Sequence, residues 1–517
     1  MSTIRRLTSA SLASWLRIGI TLFTQVFLLP VYLSRWDKNT YGVWLAIQAA
    51  VSLATLADGA HQNFLGFEFL KIGSDDRALI SRVFSASIPI SLGIGSLEVL
   101  AVSLFVKQGA QDWLFGLKSA TDALLLSDAG KVLIIQSLVY LLFGSVGGTA
   151  GRMLAPLGYF PRMAWWAVIS SIVTSAAPAI AVLLGARLLG AGVVLGVATV
   201  LLNIPLVYDM YRIGKREGLT LTRPDLGLGL RNLGNSLALM FKGFLEMARQ
   251  QGTRVILSPL VGVSEMAAFA TMRTGANSVL QGLNTITNPL LPELMRFLVA
   301  RDQERSEASF GVVWLVVTVC MAPAVIILQW AAPHLFVLWT RGKFTFDPLL
   351  FATLSDSILI FALAQPAMAV VQGNNLLRAQ LIISAVSGGT VILGLLLMVS
   401  KWSILGAGLA LLFAEIVSLI GYVRVATEWL RLQSLVWPAR GFRVVTASVG
   451  VSGFATAAMA QVPTHAFAIM LSGVGVEGLL TIVYWKHIPI VARRRAAQIV
   501  ASMPPRGFTR RLADVLR

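Results

Sequence analysis

Residues 232–258 read NLGNSLALMFKGFLEMARQQGTRVILS, and this stretch decides the fold because its charges lie on one face of an otherwise apolar helix. At 100° per residue, Lys242, Glu246 and Arg249 occupy one narrow arc. Each charge would cost at least about 2.5 kcal/mol at the centre of a bilayer on insertion scales. The stretch therefore predicts a membrane helix whose charged stripe faces a water-filled cavity or partners inside a bundle.

The rest of the chain has the composition of a protein that crosses a membrane many times. Of its 517 residues, 56% are hydrophobic and only 13% are charged, and the mean hydropathy is +0.76. Apolar runs of about 20 residues, long enough to span a bilayer, recur about fourteen times. We therefore expect an all-α polytopic membrane protein with about 14 transmembrane helices.

The distribution of basic residues predicts the orientation of the chain. With the N-terminus in the cytoplasm, the predicted cytoplasmic loops hold roughly three times as many lysines and arginines as the external loops. Arg152 and Arg162 are assigned to one of these cytoplasmic loops. Both termini are therefore expected to be cytoplasmic. The net charge of +18 follows from this dispersal, and no nucleic-acid partner is expected because no folded basic domain collects the charge.

Several kinds of chemistry are excluded by the residues present. The single cysteine, Cys320, precludes a disulfide within the chain, and four scattered histidines do not form a metal cluster. The sequence GVGVEG at 473–478 lies in an apolar span with no preceding strand, so it does not indicate dinucleotide binding. A phosphate-binding loop is also missing. We expect neither a cofactor nor a metal, and we do not expect an enzyme.

The chain contains an internal repeat. The stretch RMAWWAVISSIVTSAAPAIAVLLGARLLGAGVVLG from Arg162 aligns without a gap with RAQLIISAVSGGTVILGLLLMVSKWSILGAGLALL from Arg378. An even number of predicted spans separates the two, so both copies have the same membrane orientation. We expect two six-helix bundles around a central cavity, followed by two additional helices. The predicted limits are 1–215 and 228–430 for the bundles, 440–486 for the additional helices and 487–517 for a basic cytoplasmic tail.

A second polar stripe lies on the eighth predicted span. Its members are spaced by three or four residues from Arg273 to Asn288, so they fall within an arc of about 80°. A helix packed only against helices or lipid rarely carries so many hydrogen-bonding side chains on one face. The first span contributes a polar face with Arg17. The side chains predicted to line the cavity are Arg17, Lys242, Glu246, Arg249, Arg273, Asn277, Gln281 and Asn284.

Three stretches resemble sequences of a known transporter family. The first is YGVW at 41–44, followed by Asp58-Gly59, and the second is LSPLVGVSEMAAFATMRTGANSVLQGLNTITNPLLPELMRFLVARD at 257–302. The third is VQGNNLLRAQLIIS from residue 371, followed by WSILGAGLALLFAEIV from residue 402. Together they resemble the polysaccharide and lipid-linked oligosaccharide flippases of the multidrug/oligosaccharidyl-lipid/polysaccharide exporter superfamily. The resemblance covers almost the whole chain in spacing and in the number of spans.

The resemblance implies a substrate, a mechanism and a location. A polyprenyl-diphosphate-linked glycan would move from the cytoplasmic to the external leaflet of a bacterial cytoplasmic membrane, for cell-surface polysaccharide synthesis. Its diphosphate suits a cationic cavity, because phosphate oxygens accept several charge-assisted hydrogen bonds. The two bundles would rock in alternating access, and Glu246 and Asp58 are candidates for coupling to protons or sodium ions. Membrane lipids and other polysaccharide assembly proteins are the further partners expected.

Other interpretations of these residues stay open. In one of them, Glu246 only neutralises its neighbours in a structural ion network. Four isolated acids in other spans are interpreted as packed or near an interface and not as proton carriers: Glu98, Asp356, Glu415 and Glu477. Among other functions, a cation-coupled multidrug exporter fits a basic cavity poorly. A membrane-embedded polysaccharide polymerase or ligase should present a large external loop with catalytic residues, whereas the longest predicted external loop, 107–130, has no histidine or cysteine.

Overall fold

Every regular element in the described part of the chain is a helix, which confirms the all-α prediction. The computed structural model describes residues 26–115, 123–247, 253–374 and 376–487, together with 16, 19, 20, 23 and 24. Within helices, the side chains at 238, 239, 242, 244–247, 281–293, 295, 296 and 299 lie outside this description. The helices are α1 (Val26–Arg35), α2 (Lys38–Ala54), α3 (Leu56–Ile72), α4 (Arg77–Lys107), α5 (Ala110–Phe115), α6 (Ala123–Val139), α7 (Val146–Met153), α8 (Phe160–Leu183), α9 (Leu188–Arg216), α10 (Leu226–Met247), α11 (Thr253–Val261), α12 (Val263–Val299), α13 (Gln303–Val316), α14 (Ala322–Thr340), α15 (Pro348–Gly373), α16 (Leu377–Leu432), α17 (Ala439–Gln461) and α18 (Ala466–His487).

The helices of the described residues have the lengths and composition that a bilayer requires. Nine helical stretches are long and apolar enough to cross a membrane, and α2 with α3, bent by 47°, make a tenth. Helix α16 has 56 residues and a kink at Trp402 and Ser403, so it provides two passes. With α1, α12 and the pair α10 and α11, the count reaches about fourteen, in agreement with the sequence.

Two compact units are formed by these helices. The first comprises Met1–Ala270 and Leu338–Phe344, and the second comprises Thr271–Val337 and Thr345–Arg517. The division therefore falls inside α12, and α10 and α11 belong to the first unit. The predicted limits of the two six-helix bundles and of the additional helices stay a prediction.

Helix α3 is central to the first unit, where it packs against α4, α7 and α10. The approach of α7 is close because Gly148 has no side chain: a Cβ at this position would lie 2.0 Å from Oε1 of Gln62. Gly229 plays the same part between α10 and α4, since a Cβ there would lie 2.6 Å from the Ala86 carbonyl oxygen. These contacts place polar groups of four helices next to one another.

A strap made of residues 217–225 connects α9 to α10 and is bound along α4. The backbone N–H groups of Thr220 and Thr222 donate to the hydroxyls of Ser81 and Ser85 at 3.2 and 2.9 Å. Ion pairs flank these bonds, Arg77 with Glu217 at 3.1 Å and Arg82 with Asp225 at 2.7 Å. Since Arg77, Ser81 and Ser85 are four residues apart, one face of α4 holds most of the strap, and Arg82 beside that face holds its end at Asp225.

The segment Leu338–Phe344 follows α14 in sequence but belongs to the first unit. The indole nitrogen of Trp339 donates to the Val26 carbonyl at 2.5 Å, and the Lys343 ammonium donates to the Trp36 carbonyl. Trp36 directly follows the short helix α1, at the end where the last carbonyls lack partners and attract cations. A short piece of the second half of the chain is thus held by α1.

The second unit packs α17 against α15 and α18. Its buried aromatic centre is Trp314, whose indole N–H donates to the Leu363 carbonyl at 3.1 Å and whose ring meets Trp437 edge-on. Tyr484 of α18 donates to the Gly311 carbonyl at 3.0 Å. The last two helices are therefore built into the second unit.

Candidate functional site

The bend between α2 and α3 places an acidic side chain in the interior of the first unit. Asp58 lies in the first turn of α3 and is fully buried. Its backbone N–H donates at 3.4 Å to Oε1 of Glu98, which α4 contributes. The prediction that Glu98 is an isolated acid was therefore wrong, because the register of α4 on α3 sets it beside Asp58.

Gln62, one turn after Asp58, is the centre of the surrounding hydrogen bonds. Its Nε2 lies 2.9 Å from Oδ2 of Asp58 and 3.1 and 3.2 Å from the carbonyls of Gly144 and Ser145. The two carbonyls are available because a π-helical turn, Tyr140–Ser145, interrupts the regular helix after α6. An amide group has two hydrogens, so the three acceptors cannot all be satisfied at once.

Arg152 fixes Gln62 from the other side. One guanidinium nitrogen donates to Oε1 of Gln62 at 2.7 Å and the other to Oδ1 of Asn63 at 2.7 Å. The sequence predicted a loop at Arg152, and this was wrong: the residue lies in the last turn of α7, whose glycine-rich sequence stays helical. The cytoplasmic side assigned to it stays a prediction. The orientation of the Gln62 amide is then defined, with oxygen towards Arg152 and nitrogen towards Asp58.

Asp58, Gln62, Glu98, Tyr140 and Arg152 form one group, which we call the Asp58 cluster. The Tyr140 hydroxyl faces both carboxyl groups. Oδ1 of Asp58 and Oε2 of Glu98 have no hydrogen-bond partner within the described residues. Buried carboxyl oxygens are normally paired, and Oε1 of Glu477 in the second unit also lacks a partner in the described residues. The Asp58 cluster differs from Glu477 because two such acids lie beside each other.

A buried histidine lies next to the cluster and joins α3 to α10. His61 is fully buried, and its Nδ1 lies 3.1 Å from the Ser236 hydroxyl. That hydroxyl donates to the Leu233 carbonyl at 2.7 Å, so Nδ1 of His61 must carry the hydrogen. Nε2 is then an acceptor, and it has no partner in the described part of the unit.

The residues predicted to line the cavity are described only in part. Arg17 and Arg249 lie outside the described residues, as do the side chains of Lys242, Glu246, Gln281 and Asn284, although positions 242 and 246 are in α10 and 281 and 284 are in α12. Arg273 and Asn277 lie half-buried one turn apart on α12. The cavity itself stays a prediction.

Helix α10 shows which of its faces packs on the first unit. Asn232 and Ser236 are buried there, whereas Asn235 is exposed. At 100° per residue, positions 242 and 246 fall in the arc of Asn235. The predicted charged stripe therefore belongs to the arc that does not pack against α3.

Two further acids within spans, Glu477 and Asp356, pack against α17. Glu477 of α18 is fully buried and accepts from the Ser448 hydroxyl at 2.6 Å. Asp356 of α15 lies 3.4 Å from the Thr456 hydroxyl. Each of these acids meets one hydroxyl of α17.

Asp58 could be identified from the sequence as a candidate, but the side chains around it were not predicted. Gln62 carried a signal, because it lies four residues after Asp58 and so on the same face of α3. Arg152 and Tyr140 carried a weaker one, since the glycines at 144, 147, 148 and 151 between them permit a close helix contact.

Comparisons with known proteins find similarity at the level of solved structures. No protein-family model matches the chain, and no curated protein matches it. Among solved structures, the chain is similar to the lipid II flippase MurJ in an inward closed conformation, with a TM-score of 0.60 and 14% identity over 92% of this chain and 98% of that protein.

Multidrug resistance MATE family transporters of the MOP superfamily are also similar. The outward-facing conformation gives a TM-score of 0.57 at 13% identity, over 83% of this chain and 96% of the transporter. The inward-facing conformation gives 0.58 at 12% identity, over 81% and 98%. The chain is therefore a multi-pass membrane protein whose fold is similar to that of the MurJ flippase and of the MATE transporters. This confirms the fold class expected from the sequence.

Proposed function

We propose that this protein is a flippase that moves a polyprenyl-diphosphate-linked oligosaccharide from the cytoplasmic to the external leaflet of a bacterial cytoplasmic membrane. The observation that carries the proposal is the extent of the structural likeness. The likeness to a lipid-linked-substrate flippase covers 92% of the chain, against 83% for the outward-facing multidrug transporter. Helices α17 and α18, which are part of the second unit, agree with a likeness that covers more of the chain for the flippase than for the multidrug transporter.

The charges of the sequence support an anionic head group as the substrate. Lys242, Arg249, Arg273 and Arg17 would bind the diphosphate, whose oxygens accept bidentate hydrogen bonds from arginine. Asn277, Gln281 and Asn284 would contact sugar hydroxyls, and the polyprenyl chain would stay in the bilayer. Transport would proceed by alternating access, with both termini in the cytoplasm and cell-surface polysaccharide as the end product. Other polysaccharide assembly proteins are the expected partners.

Coupling to an ion gradient is part of the proposal, with Asp58 and Glu246 as candidate acids. The burial of Asp58 and its unpartnered Oδ1 support the first candidate. Flux of lipid-linked oligosaccharide in proteoliposomes should then respond to an imposed proton or sodium gradient. Flux that is the same under both gradients and without them would contradict coupling while leaving the flippase proposal intact.

The leaflet distribution of lipid-linked oligosaccharides tests the function itself. Cells that carry the double variant Lys242→Ala and Arg249→Ala should accumulate complete lipid-linked units on the cytoplasmic side, and the wild type should restore export. A matched control is Arg440→Ala with Arg443→Ala, which removes the same charge from exposed positions of α17. Membrane abundance of every variant is measured in parallel.

The outcomes separate this proposal from its alternatives. Normal distribution in the Lys242 and Arg249 variant would remove these cations from the mechanism. A silent deletion of the whole protein would refute the flippase proposal and favour drug export, which the likeness to the multidrug transporters supports. If flipping stayed normal, unpolymerised lipid-linked units on the external side would instead indicate a polymerase. Glycan that had not been ligated to its acceptor would indicate a ligase.

A further inference from the structure

The Asp58 cluster contains more hydrogen-bond acceptors than donors. The acceptors are the four carboxyl oxygens of Asp58 and Glu98 and the carbonyls of Gly144 and Ser145. The donors in reach are the Gln62 amide, the Tyr140 hydroxyl and the Asp58 N–H. The Ser145 hydroxyl also lies near Asp58, but its hydrogen is donated to the Ser91 carbonyl at 2.8 Å. Oδ1 of Asp58 and Oε2 of Glu98 are left without a donor in the described residues. The cluster therefore has too few hydrogen-bond donors, and the acceptors left without one belong to the two carboxyl groups.

The charges of the cluster show the same deficit. Two carboxylates face one guanidinium, that of Arg152, which reaches Asp58 only through Gln62. If both acids were ionised, the described groups would carry one uncompensated negative charge in the interior of a membrane unit. Such a charge is unfavourable in an interior of low dielectric constant. One added positive charge would balance the cluster.

We propose that the Asp58 and Glu98 carboxyl pair binds one exchangeable proton. A proton on either unpartnered oxygen removes the excess charge and supplies the missing donor in one step. This site deepens the proposed coupling and rests on the proposed function for its role in transport, but its existence can be measured without transport.

A proton fits the geometry better than a sodium ion does. A metal cation at the pair would need further oxygen ligands, and the nearest carbonyls, those of Gly144 and Ser145, are already approached by the Gln62 amide. Displacing that amide would also break the bond from Arg152 to Gln62 at 2.7 Å. A proton requires no such rearrangement.

The groups that face the pair come from α3 itself and from the elements that pack on it around Asp58, which are α4, α7, α10 and the π-helical turn. Helix α7 contributes Arg152 and the π-helical turn contributes Tyr140, while α3 itself carries His61 on the side of α10. The described residues of α10 opposite α3 are Asn232 and Ser236, neither of which titrates. Glu98 is the titratable residue of α4 at this contact.

The proton is linked to the shape of the second span. Glu98 accepts the Asp58 N–H just after the 47° bend between α2 and α3. An ionised carboxylate is a stronger acceptor than a neutral carboxylic acid. Protonation of Glu98 therefore weakens the contact that holds α4 to the bend, and deprotonation restores it.

Infrared spectroscopy of the purified full-length protein in lipid nanodiscs tests the site directly. The carbonyl stretch of a protonated carboxylic acid is followed during a pH titration, in sodium-free buffer and then with sodium chloride. Asp58→Asn and Glu98→Gln should each abolish one titrating carboxylic acid signal. The matched control Glu477→Gln, which changes a fully buried acid of the second unit, should leave that signal in place.

Each result decides the proposal. Loss of the same signal in both single variants, with normal monodispersity and thermal unfolding, supports a shared proton. Persistence of the signal in both variants overturns the proposal. Loss of the signal on addition of sodium chloride at constant pH also overturns it, because the site would then bind sodium. Glu98→Asp, which retains a carboxyl group, should restore a titrating signal if Glu98→Gln folds poorly. Because no substrate is present, an inactive flippase with an intact signal would refute the proposed function and not the site.

Discussion

The replacement of Gly148 by alanine is the sharpest test of how the Asp58 cluster is held together. The new Cβ would lie 2.0 Å from Oε1 and 2.6 Å from Cδ of Gln62. Because these atoms are the far end of a flexible side chain, the clash can be relieved by rotation of Gln62. Rotation moves the amide away from both of its charged partners, Arg152 at 2.7 Å and Asp58 at 2.9 Å.

The expected loss follows from the bonds that Gln62 gives up. A hydrogen bond to a charged group contributes about 1.5–3 kcal/mol, so two such bonds are worth about 3 kcal/mol at the lower limit. Alanine in place of glycine within a helix restores about 1 kcal/mol. The net destabilisation of Gly148→Ala is therefore about 2 kcal/mol.

The neighbouring glycine provides a matched control on the same helix. A Cβ at Gly147 meets nothing within 4 Å, so Gly147→Ala should gain the helical preference alone, about 1 kcal/mol. Reversible unfolding of both variants in mixed micelles measures the difference, which should be about 3 kcal/mol. Equal stability of the two variants would refute the central position of Gln62, and with it the argument that the cluster is rigidly organised.

Two further predictions concern the strap at residues 217–225. The backbone N–H of Leu228 and the guanidinium of Arg82 lower the pKa of Asp225 below its usual value of 3.8. This carboxylate therefore stabilises the folded state above pH 3.8, and its contribution is lost as the pH falls through the lowered pKa; the unfolding midpoint of Asp225→Asn, measured against pH, should lack this acid-dependent decrease. The double variant Ser81→Ala and Ser85→Ala should make the strap several times more susceptible to limited proteolysis, and unchanged cleavage would show that the two hydroxyls do not hold it.

The helices could be predicted because the pattern that indicates each one lies within a single continuous stretch of sequence. Apolar runs of membrane length and the spacing of Arg273 and Asn277 need only the geometry of one helix, and α12 is helical from Val263 to Val299. Breaks within runs were harder to foresee. The chain bends at Thr55 and forms a π-helical turn after α6, and at both places packing outweighs the local preference for a regular helix. Neither residue type nor periodicity predicts these breaks.

The Asp58 cluster could be predicted only at its first residue. A buried aspartate at the end of an apolar span is unusual enough to attract attention from the sequence alone. Glu98 and Arg152 look ordinary until α4 and α7 are set against α3, because pairing across helices depends on register and rotation, which a single sequence does not encode in readable form. Gly148, which permits the contact, is one of 45 glycines in the chain.

The place of Leu338–Phe344 has a consequence for the synthesis of the protein. A domain made of one continuous N-terminal segment can fold while the ribosome is still translating the rest. Here the first unit also needs Trp339 and Lys343, whose partners Val26 and Trp36 were made some 300 residues earlier. The Val26 carbonyl at the start of α1 and the Trp36 carbonyl just after its end therefore lack these two donors until Trp339 and Lys343 have been synthesised. The first unit is completed only when part of the second has already been made.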